Sequence, residues 1–466
     1  MQILIKSIFT AFVILLFITC RKNGFTNNPE AKLQTSTDSL HFDTVFTTAG
    51  SITKIIKVFN RNDEGIKVSS VRLAGGALSP FKINVDGRPG PVVSDVNVNA
   101  KDSFYVFVTV SINPTAANMP FVVQDSIEII YNGNKLFVQL DAYGQNANFY
   151  RNRKITADEI WNNNRPYVIL GRLTVDSSAI LTINEGCRVY IHADAPFIVN
   201  GTLQINGKKG DSTNVLITGD RLDEPYRNFP GSFPGIIFTS VSKNNLINYG
   251  IIRNAYQAII VDQPAANGNP KLLLNETIID NAYDAGIFAI NTWVKARNLL
   301  ITNCGKNLLL VNGGNYDFTH CTIASYSNSY LQRKEPVLFL ANYLNQTAPP
   351  NVLNAVFRNC IFWGDGGTQV ENEVIVSKVG GGSFNVLFEN VLWRVKTDPA
   401  NAIVRGNKIT LDPQFDSINT SKRFYDFRLK PTSPAINKGG NFNVPLDLDG
   451  FPRPVGLPDL GAYEKQ

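Results

Sequence analysis

Short apolar segments in the second half of the chain recur at regular intervals. Residues 171–175 (GRLTV) return 30 residues later as 201–205 (GTLQI). Residues 252–256 (IRNAY) return 27 residues later as 279–283 (IDNAY), and after 22 more as 301–304 (ITNC). One repeat of this length is a small supersecondary unit that cannot bury its apolar face alone. The repeats therefore predict stacked coils of β-strand that share one continuous core.

Later residues continue the same apolar position. We expect Ile323, Phe362 and Leu392 to occupy this position in the later coils. The long step before Phe362 contains prolines around residues 335–350, which indicates an insertion on a loop. The fold class predicted for residues 148–410 is a right-handed parallel β-helix of the pectate-lyase type.

Asparagine recurs in three successive repeats, at Asn254, Asn281 and Asn303. Asparagine tolerates the left-handed backbone of tight turns, and its side-chain amide can bond to backbone and to a neighbouring amide. We expect these residues to stack as a ladder. Contact with a ligand is the alternative.

Residues 37–147 show a different pattern, with short alternating strands separated by turn signals such as Asn132-Gly133. Such a series predicts an immunoglobulin-like β-sandwich. No cluster of His, Cys or carboxylate residues occurs between Leu40 and Gly144, so we interpret this domain as a spacer. The predicted strands are residues 54–59, 66–73, 104–112, 126–131 and 136–142.

The N-terminus has the layout of a secretory signal. Lys6 precedes an apolar run at residues 8–18, which is too short to span a bilayer, so residues 1–19 are expected to be removed. Residues 17–20 (FITC) resemble a lipobox, and this resemblance implies a lipid on Cys20. A plain secretory peptide with a chance cysteine is the alternative. Residues 20–36 would form a lipidated tether, and the protein would be exported and anchored to the outer membrane.

An ordered series of motifs fills the C-terminus: DPQF at 412–415, DFRL at 426–429, SPAINKG at 433–439, DLDGFPR at 447–453 and DLGAYE at 459–464. It resembles the C-terminal region of bacterial extracellular β-helix proteins of the choice-of-anchor Q type. Residues 41–46 and 141–145 also resemble strands of a domain found in surface lipoproteins. These resemblances imply a bacterial surface lipoprotein in which residues 411–466 cap the last rung of the β-helix.

The same segment contains Asp447-x-Asp449-Gly450, a pattern that suggests a calcium site because calcium prefers oxygen ligands. The rest of an EF-hand loop is missing. We favour instead an ion pair of Arg453 with Asp459 or Glu464, and we expect no cofactor.

Composition narrows the classes of function. Charged residues make up 18% of the chain and the net charge is +6. No run of Lys and Arg with interleaved aromatics occurs, which argues against nucleic acid as a partner. Cysteines without the spacing of a zinc site are predicted to pack in the core, with one disulfide as the alternative. They are Cys187, Cys304, Cys321 and Cys360.

Catalytic candidates do not assemble into a pattern. Glycoside hydrolysis needs two carboxylates, and a lyase needs a base beside a group that neutralises a uronate. Arg253 and Asp280 occupy matching positions, which we interpret as an ion pair between coils. The remaining candidates are interpreted as loop or structural residues: Asp262, Asp284, Asp365, His192 and His320. A polysaccharide lyase or glycoside hydrolase is therefore the alternative function.

Aromatic pairs point to binding. Tyr256 and Tyr283 occupy equivalent positions one rung apart, and Trp363 and Trp393 are expected to do the same. Each pair would present stacked faces to a sugar chain, although packing at the rim or in the core is the alternative. The function predicted is a cell-envelope lipoprotein that binds an extended polymer, a polysaccharide or envelope glycan, or that serves as an adhesion or envelope scaffold.

Overall fold

The computed structural model describes residues 24–46, 51–113, 121–345, 349–365, 369–453 and 456–466. Within these ranges the chain forms 36 strands and two single-turn 3-10 helices, Gly76–Leu78 and Tyr226–Asn228. It divides into two compact units, residues 1–146 and 147–466. The predicted all-β fold class is confirmed. The apolar run at 8–18 and Cys20 lie outside the described residues.

The first unit is a two-sheet sandwich. One sheet has the order β1-β5-β10-β11-β3 with β8 on β5, and the other has the order β2-β4-β9-β6-β7. Inward residues of both sheets, such as Val58 and Val138, are fully buried. The strands are β1 (Phe25–Thr26), β2 (Leu33–Thr35), β3 (Ser39–Phe46), β4 (Lys54–Asn60), β5 (Gly65–Leu73), β6 (Phe81–Val85), β7 (Arg88–Pro89), β8 (Val92–Val98), β9 (Ser103–Val110), β10 (Phe121–Tyr131) and β11 (Asn134–Gln145).

Part of the expected tether belongs to this sandwich. β1 pairs with β5 and β2 pairs with β4. Leu33 is buried, and its backbone N–H donates to the Tyr131 hydroxyl at 3.0 Å. A tether that extends to residue 36 is therefore wrong, since the chain joins the sandwich at Phe25. Strands of two and three residues are too short for hydrophobic periodicity to reveal them.

The second unit is a parallel β-helix. Strands β12 to β34 form one sheet in which strands of successive coils pair in parallel. They are β12 (Asn148–Ile155), β13 (Glu159–Trp161), β14 (Tyr167–Val175), β15 (Ile180–Asn184), β16 (Arg188–Ile191), β17 (Phe197–Val199), β18 (Thr202–Asn206), β19 (Val215–Gly219), β20 (Ile236–Phe238), β21 (Asn245–Asn248), β22 (Gly250–Arg253), β23 (Gln257–Asp262), β24 (Leu272–Asn275), β25 (Ile278–Asp280), β26 (Ala285–Arg297), β27 (Leu300–Thr302), β28 (Lys306–Thr319), β29 (Thr322–Ser325), β30 (Leu338–Ala341), β31 (Leu353–Gly364), β32 (Val374–Ser377), β33 (Phe384–Trp393) and β34 (Ile403–Ile409).

One column of inward side chains shows how the coils stack. Its members are all fully buried: Ile252, Ile279, Ile301, Ile323, Phe362 and Trp393. The expected register is wrong at the last rung, where Trp393 rather than Leu392 pairs with Phe362. Because strand side chains alternate, this one-residue difference turns Leu392 outward and Trp393 inward.

The four cysteines after Cys20 are buried free thiols, so their predicted packing in the core is confirmed. Burial raises the pKa of Cys187 to about 11. The thiolate is the reactive form of cysteine, and burial disfavours it.

The asparagine ladder is present. Asn254, Asn281 and Asn303 have positive φ angles of 66°, 58° and 52°. The Asn281 amide donates to the Asn254 side-chain oxygen at 2.7 Å. The Asn303 amide donates instead to the Asp280 carboxylate at 3.2 Å. The first two members therefore bond directly and the third bonds to an acid on the neighbouring rung.

Residues 411–466 are the C-terminal segment, and its described residues, 411–453 and 456–466, lie along the side of the β-helix. Their two strands, β35 (Phe415–Asn419) and β36 (Phe424–Leu429), pair antiparallel. Apolar residues of the segment form one buried cluster with outward side chains of the coils: Leu300, Ala324, Ile361 and Leu392 with Phe415, Phe427, Leu429 and Leu460. The expected cap over the last rung is therefore wrong, because the apolar surface that needs cover lies on the flank of several rungs.

The ion pair expected within this segment is confirmed. Arg453 donates to the Glu464 carboxylate at 2.7 Å, and both side chains are buried. Asp447 accepts backbone N–H groups of Phe451 at 2.7 Å and Glu464 at 2.9 Å, whereas Asp449 pairs with an arginine. The carboxylates of Asp447 and Asp449, the possible calcium ligands, thus bond to other groups of the protein. Over the described ranges, no group of three or more His, Cys, Asp or Glu side chains could hold a metal ion.

Candidate functional site

A groove runs between the flank of the β-helix and the C-terminal segment, and we call it the flank groove. It consists of three connected clefts of about 230, 360 and 540 Å³. The first two clefts share Arg253, Asp280, Arg423 and Tyr425. The last two share Ile251, Ile278, Arg428 and Tyr463. These shared residues show that the three clefts adjoin one another.

Its floor comes from two short strands that also build the core. Ile251 pairs in register with Ile278, and Arg253 pairs with Asp280. Successive side chains of a strand point to opposite faces, so the residues between them enter the core while these four face the groove. The opposite wall comes from β36 and residues that follow it. The folding of the coils therefore fixes the floor of the groove.

The smallest cleft is the asparagine end of the flank groove, lined by Asn228, Arg253, Asn254, Asp280, Asn281, Asn303, Asn328, Lys422, Arg423 and Tyr425. Asp280 accepts hydrogen bonds from the Thr302 hydroxyl at 2.8 Å and from Asn303 at 3.2 Å. Burial raises the pKa of Asp280, and the two hydrogen bonds and the charge of Arg253 oppose this shift. Arg253 and Asp280 align in register, but the ion pair predicted between them is wrong: no salt bridge joins these two described side chains, and the hydrogen bonds of the carboxylate come from the next rung.

Arg423 is held at the asparagine end by several contacts. Its guanidinium stacks on the Tyr330 ring, 4.1 Å from the ring centroid, and donates to the Asn228 carbonyl at 3.3 Å. Its backbone φ of 51° lies in the left-handed region, in the turn between β35 and β36. The position of this cation is therefore fixed by the fold.

The opposite end of the flank groove is more apolar. The Lys209 amine lies 4.5 Å from the centroid of the Phe451 ring, and Phe451 is 43% exposed. Glu276 pairs with Arg297 at 3.2 Å. Burial raises the pKa of Glu276, and the charge of Arg297 opposes this shift. Phe424, at the middle of the groove, is 59% exposed. Open aromatic faces therefore occur along the groove.

Tyr256 and Tyr283, the tyrosine pair, lie beside the asparagine end. Their rings stack with centroids 5.5 Å apart and an angle of 22° between the planes, and they are 48% and 53% exposed. Gly231 packs against Tyr283, and Asn228 of the same loop lines the groove. The pair is thus an open aromatic surface next to the groove, and its role in binding stays a prediction.

The expected tryptophan pair does not form. Trp393 is fully buried and packs edge-on against Phe388 at 5.0 Å. Trp363 faces outward, but it is half-buried against the apolar cluster under the C-terminal segment. The assignment of Trp363 and Trp393 to sugar stacking is therefore wrong, because Trp393 points into the core and Trp363 is covered.

The remaining catalytic candidates do not line the three clefts. His192 bonds to Asp220 at 2.7 Å, and His320 accepts or donates a bond to Asn359 at 2.9 Å within a buried turn. Two acids pair with basic residues, Asp284 with Lys306 at 2.9 Å and Asp365 with Arg333 at 3.0 Å. The backbone carbonyl of Asp262 accepts a bond from buried Lys271. These residues have structural partners, as their interpretation from sequence implied.

Residues of the C-terminal segment that line the groove were missed from the sequence: Lys422, Arg423, Phe424, Tyr425 and Tyr463. No local pattern marks them as neighbours of Arg253 and Asp280. Only the docking of the segment along the flank, rather than over the end, brings them together.

No protein-family profile matches the sequence, and no curated protein matches it either. Among solved structures, the chain is similar to the catalytic unit of the GH87 α-1,3-glucanase of Streptomyces thermodiastaticus, with 10% identity, a TM-score of 0.19, and coverage of 76% of this chain and 86% of that one. It is also similar to a family 123 glycoside hydrolase of Clostridium perfringens, at 11% identity and a TM-score of 0.19, covering 28% of this chain. The match spans only 30% of the hydrolase.

A third similarity is to PapD-like domain 7 of human CEP192, with 13% identity, a TM-score of 0.17, and coverage of 25% of this chain and 85% of that domain. TM-scores this low carry no argument about what the chain binds.

Proposed function

We propose that this chain is a lipoprotein of the bacterial cell envelope that binds an extended polysaccharide in the flank groove. The observation that carries the proposal is the groove itself, in which three clefts share walls along the side of the β-helix. Three adjoining clefts offer contacts to successive sugar units of one extended chain.

The lining suits sugars in two respects. Phe424 within the groove and the tyrosine pair beside it are exposed and offer flat apolar faces to sugar rings. At the asparagine end, the Asn281 amide N–H groups bond to Asn254 and Asn228, and the Asn281 side-chain oxygen faces the cleft as an acceptor for sugar hydroxyls.

Affinity electrophoresis of the full-length protein in gels with soluble polysaccharides tests the binding. The panel contains polygalacturonate, alginate and heparin as acidic polymers, and xyloglucan and dextran as neutral ones. We expect at least one to retard the protein, and we expect Phe424→Ala and Tyr283→Ala each to weaken retardation, by about 1 kcal/mol per lost stacking face. Tyr143→Ala is the matched control, since Tyr143 is 52% exposed on the sandwich. Equal loss in all three variants would contradict a site at the groove.

The membrane anchor is a separate part of the proposal, supported by the apolar run that ends at Cys20. Acylation of Cys20 would hold the sandwich and the β-helix at the membrane surface. We expect Cys20→Ser to move the protein from the membrane fraction to the soluble fraction. Unchanged fractionation of the variant would show that Cys20 carries no anchor.

Enzymatic cleavage is the second candidate, and one observation favours it. Asp280 has a pKa raised by burial, and Asp426 lines the same cleft. A hydrolase needs an acid that holds its proton and a second carboxylate. New reducing ends, or the ultraviolet absorbance of unsaturated uronates, that disappear in Asp280→Asn would establish an enzyme. If no polymer is retained or cleaved, an adhesion or envelope scaffold remains, and partner proteins should co-purify.

A further inference from the structure

The asparagine end of the flank groove is a compact cationic site. Among the described residues that line it, Arg253, Lys422 and Arg423 are basic and Asp280 is the acid. The Asp280 carboxylate already accepts hydrogen bonds from Thr302 and Asn303. The cleft therefore has an excess of positive charge that its own acid does not balance.

The three cations come from two parts of the chain that are far apart in sequence. Arg253 ends β22 and faces outward from the coil. Lys422 and Arg423 lie in the turn between β35 and β36. Docking of the C-terminal segment on the flank brings these like charges to one cleft of about 230 Å³. An anion bound in this cleft would therefore meet positive charge from both parts of the chain.

Arg423 is prepared for such an anion. Tyr330 supports one face of its guanidinium, and the Asn228 carbonyl accepts one N–H at 3.3 Å. A guanidinium has five N–H donors in a planar fork, a geometry that matches a carboxylate or sulfate. Within the part of the chain that the structure describes, the Asn228 contact is the one side-chain hydrogen bond that Arg423 makes. The fold holds this side chain in place before any ligand arrives, which lowers the entropy cost of binding.

The rest of the cleft suits a sugar that carries the anion. Asn228 and Asn328 place side-chain amides at its walls, and Asn281 places its side-chain oxygen there. Tyr256 follows Arg253 by three residues, a separation of at most about 11 Å along the chain. A polysaccharide bound in the groove can therefore reach the cations and the tyrosine pair together.

We propose that the asparagine end is a subsite for the anionic group of an acidic polysaccharide, a carboxylate or a sulfate, and that Arg253 and Arg423 are the residues that select it. This inference rests on the proposed function and names the class of polymer.

The test compares acidic with neutral polymers in the affinity gels, with polygalacturonate as the carboxylate probe and heparin as the sulfate probe. The variants Arg253→Gln and Arg423→Gln keep hydrogen-bonding capacity and remove charge. We expect each to lose about tenfold in affinity for at least one acidic polymer, the loss typical of one charge-assisted hydrogen bond. Binding to xyloglucan and dextran should not change. Arg405→Gln, an exposed arginine on β34 outside the groove, is the matched control.

The outcomes separate this inference from the proposed function. Retention of wild-type protein by neutral polymers alone would overturn the anionic subsite and leave glycan binding intact. Acidic retention that is unchanged in both groove variants, or equally reduced in Arg405→Gln, would also overturn it. Equal retention by double-stranded DNA would show unspecific attraction to polyanions and contradict a sugar subsite. If no polymer retains the wild-type protein, both proposals fail.

Discussion

The side-chain amide of Asn281 donates a hydrogen bond of 2.7 Å to the side-chain oxygen of Asn254, one rung away. The same Asn281 amide donates to the backbone carbonyl of Asn228 at 3.0 Å, and Asn254 donates to that of Arg227 at 2.9 Å. The ladder therefore has two consequences. It supplies hydrogen-bond partners in turns whose backbone is left-handed. It also holds the loop with Arg227 and Asn228, which forms one edge of the flank groove.

The first prediction concerns this ladder. Asn281→Ala should lower the free energy of unfolding by about 2 kcal/mol, because it removes two hydrogen bonds and puts alanine at a φ of 58°. Asn281→Gly should cost less, since glycine adopts that backbone freely. Denaturant unfolding of the full chain measures both. Asn385→Ala, which removes exposed hydrogen bonds to Asn354 and Ser383, is the control and should cost less than either. A larger loss for glycine than for alanine would contradict the backbone argument.

The second prediction concerns the buried pair of Arg453 and Glu464, which are 2.7 Å apart and fully enclosed. Arg453→Met leaves Glu464 as a buried charge without its arginine, so we expect a loss of about 3–5 kcal/mol. The double variant Arg453→Met with Glu464→Leu should recover much of that loss, because neither charge is then buried. Limited proteolysis should show the C-terminal segment released first in the single variant.

A matched control exists on the sandwich, where Lys101 pairs with Asp63 at 3.0 Å with both side chains mostly exposed. Lys101→Met should cost less than about 1 kcal/mol, because solvent screens such pairs. If Arg453→Met cost no more than Lys101→Met, the docking of the C-terminal segment on the flank would not depend on this pair.

The third prediction is a dependence of stability on pH. Burial, together with the charge of Arg453, holds the pKa of His320 well below its usual value. In the window between that lowered pKa and about 6.5, the unfolded chain binds a proton at residue 320 that the folded chain does not. The contribution of His320 to stability is therefore complete above about pH 6.5 and is lost as the pH falls below it, by at most about 1.4 kcal/mol per pH unit.

His320→Asn should remove this dependence. Asparagine already occupies the equivalent turn of the next rung as Asn359, whose φ of 52° is close to the 54° of His320. Unfolding midpoints between pH 7.5 and 5 compare the two proteins, so that effects of carboxylates common to both cancel. If the unfolding midpoints of wild type and variant changed equally with pH, this would contradict a neutral, buried imidazole at His320.

Much of the fold could be predicted from the sequence, because matching positions of the repeats pair with one another in successive coils. The column through Ile252, Ile279 and Ile301 is in place, and so are the asparagine turns. The register fails by one residue at Trp393, where the repeat had no motif to anchor it and an apolar residue stands at both neighbouring positions. A pattern of apolar residues cannot distinguish the two faces of a strand when both faces are buried.

Much of the candidate site could not be predicted. The tyrosine pair was identified because its two members occur in matching repeats, but Arg423 and Tyr425 have no counterpart in the repeats. They meet Arg253 only through the docking of a segment about 170 residues later in the chain, a long-range contact that no local spacing encodes. A sequence motif that resembles a known terminus also does not show which face of the β-helix it covers.

The most direct test of the flank groove is hydrogen–deuterium exchange of the full-length protein with and without saturating polygalacturonate. If the groove binds this polymer, amides of residues 251–256 and 420–428 should exchange more slowly in its presence, and those of the sandwich should not change. At the polymer concentration that half-saturates the wild-type protein, the variant Arg423→Gln should lose most of this protection, because an affinity about tenfold weaker leaves its groove mostly empty. Protection confined to the sandwich, or protection of the groove that is the same in Arg423→Gln, would contradict the account.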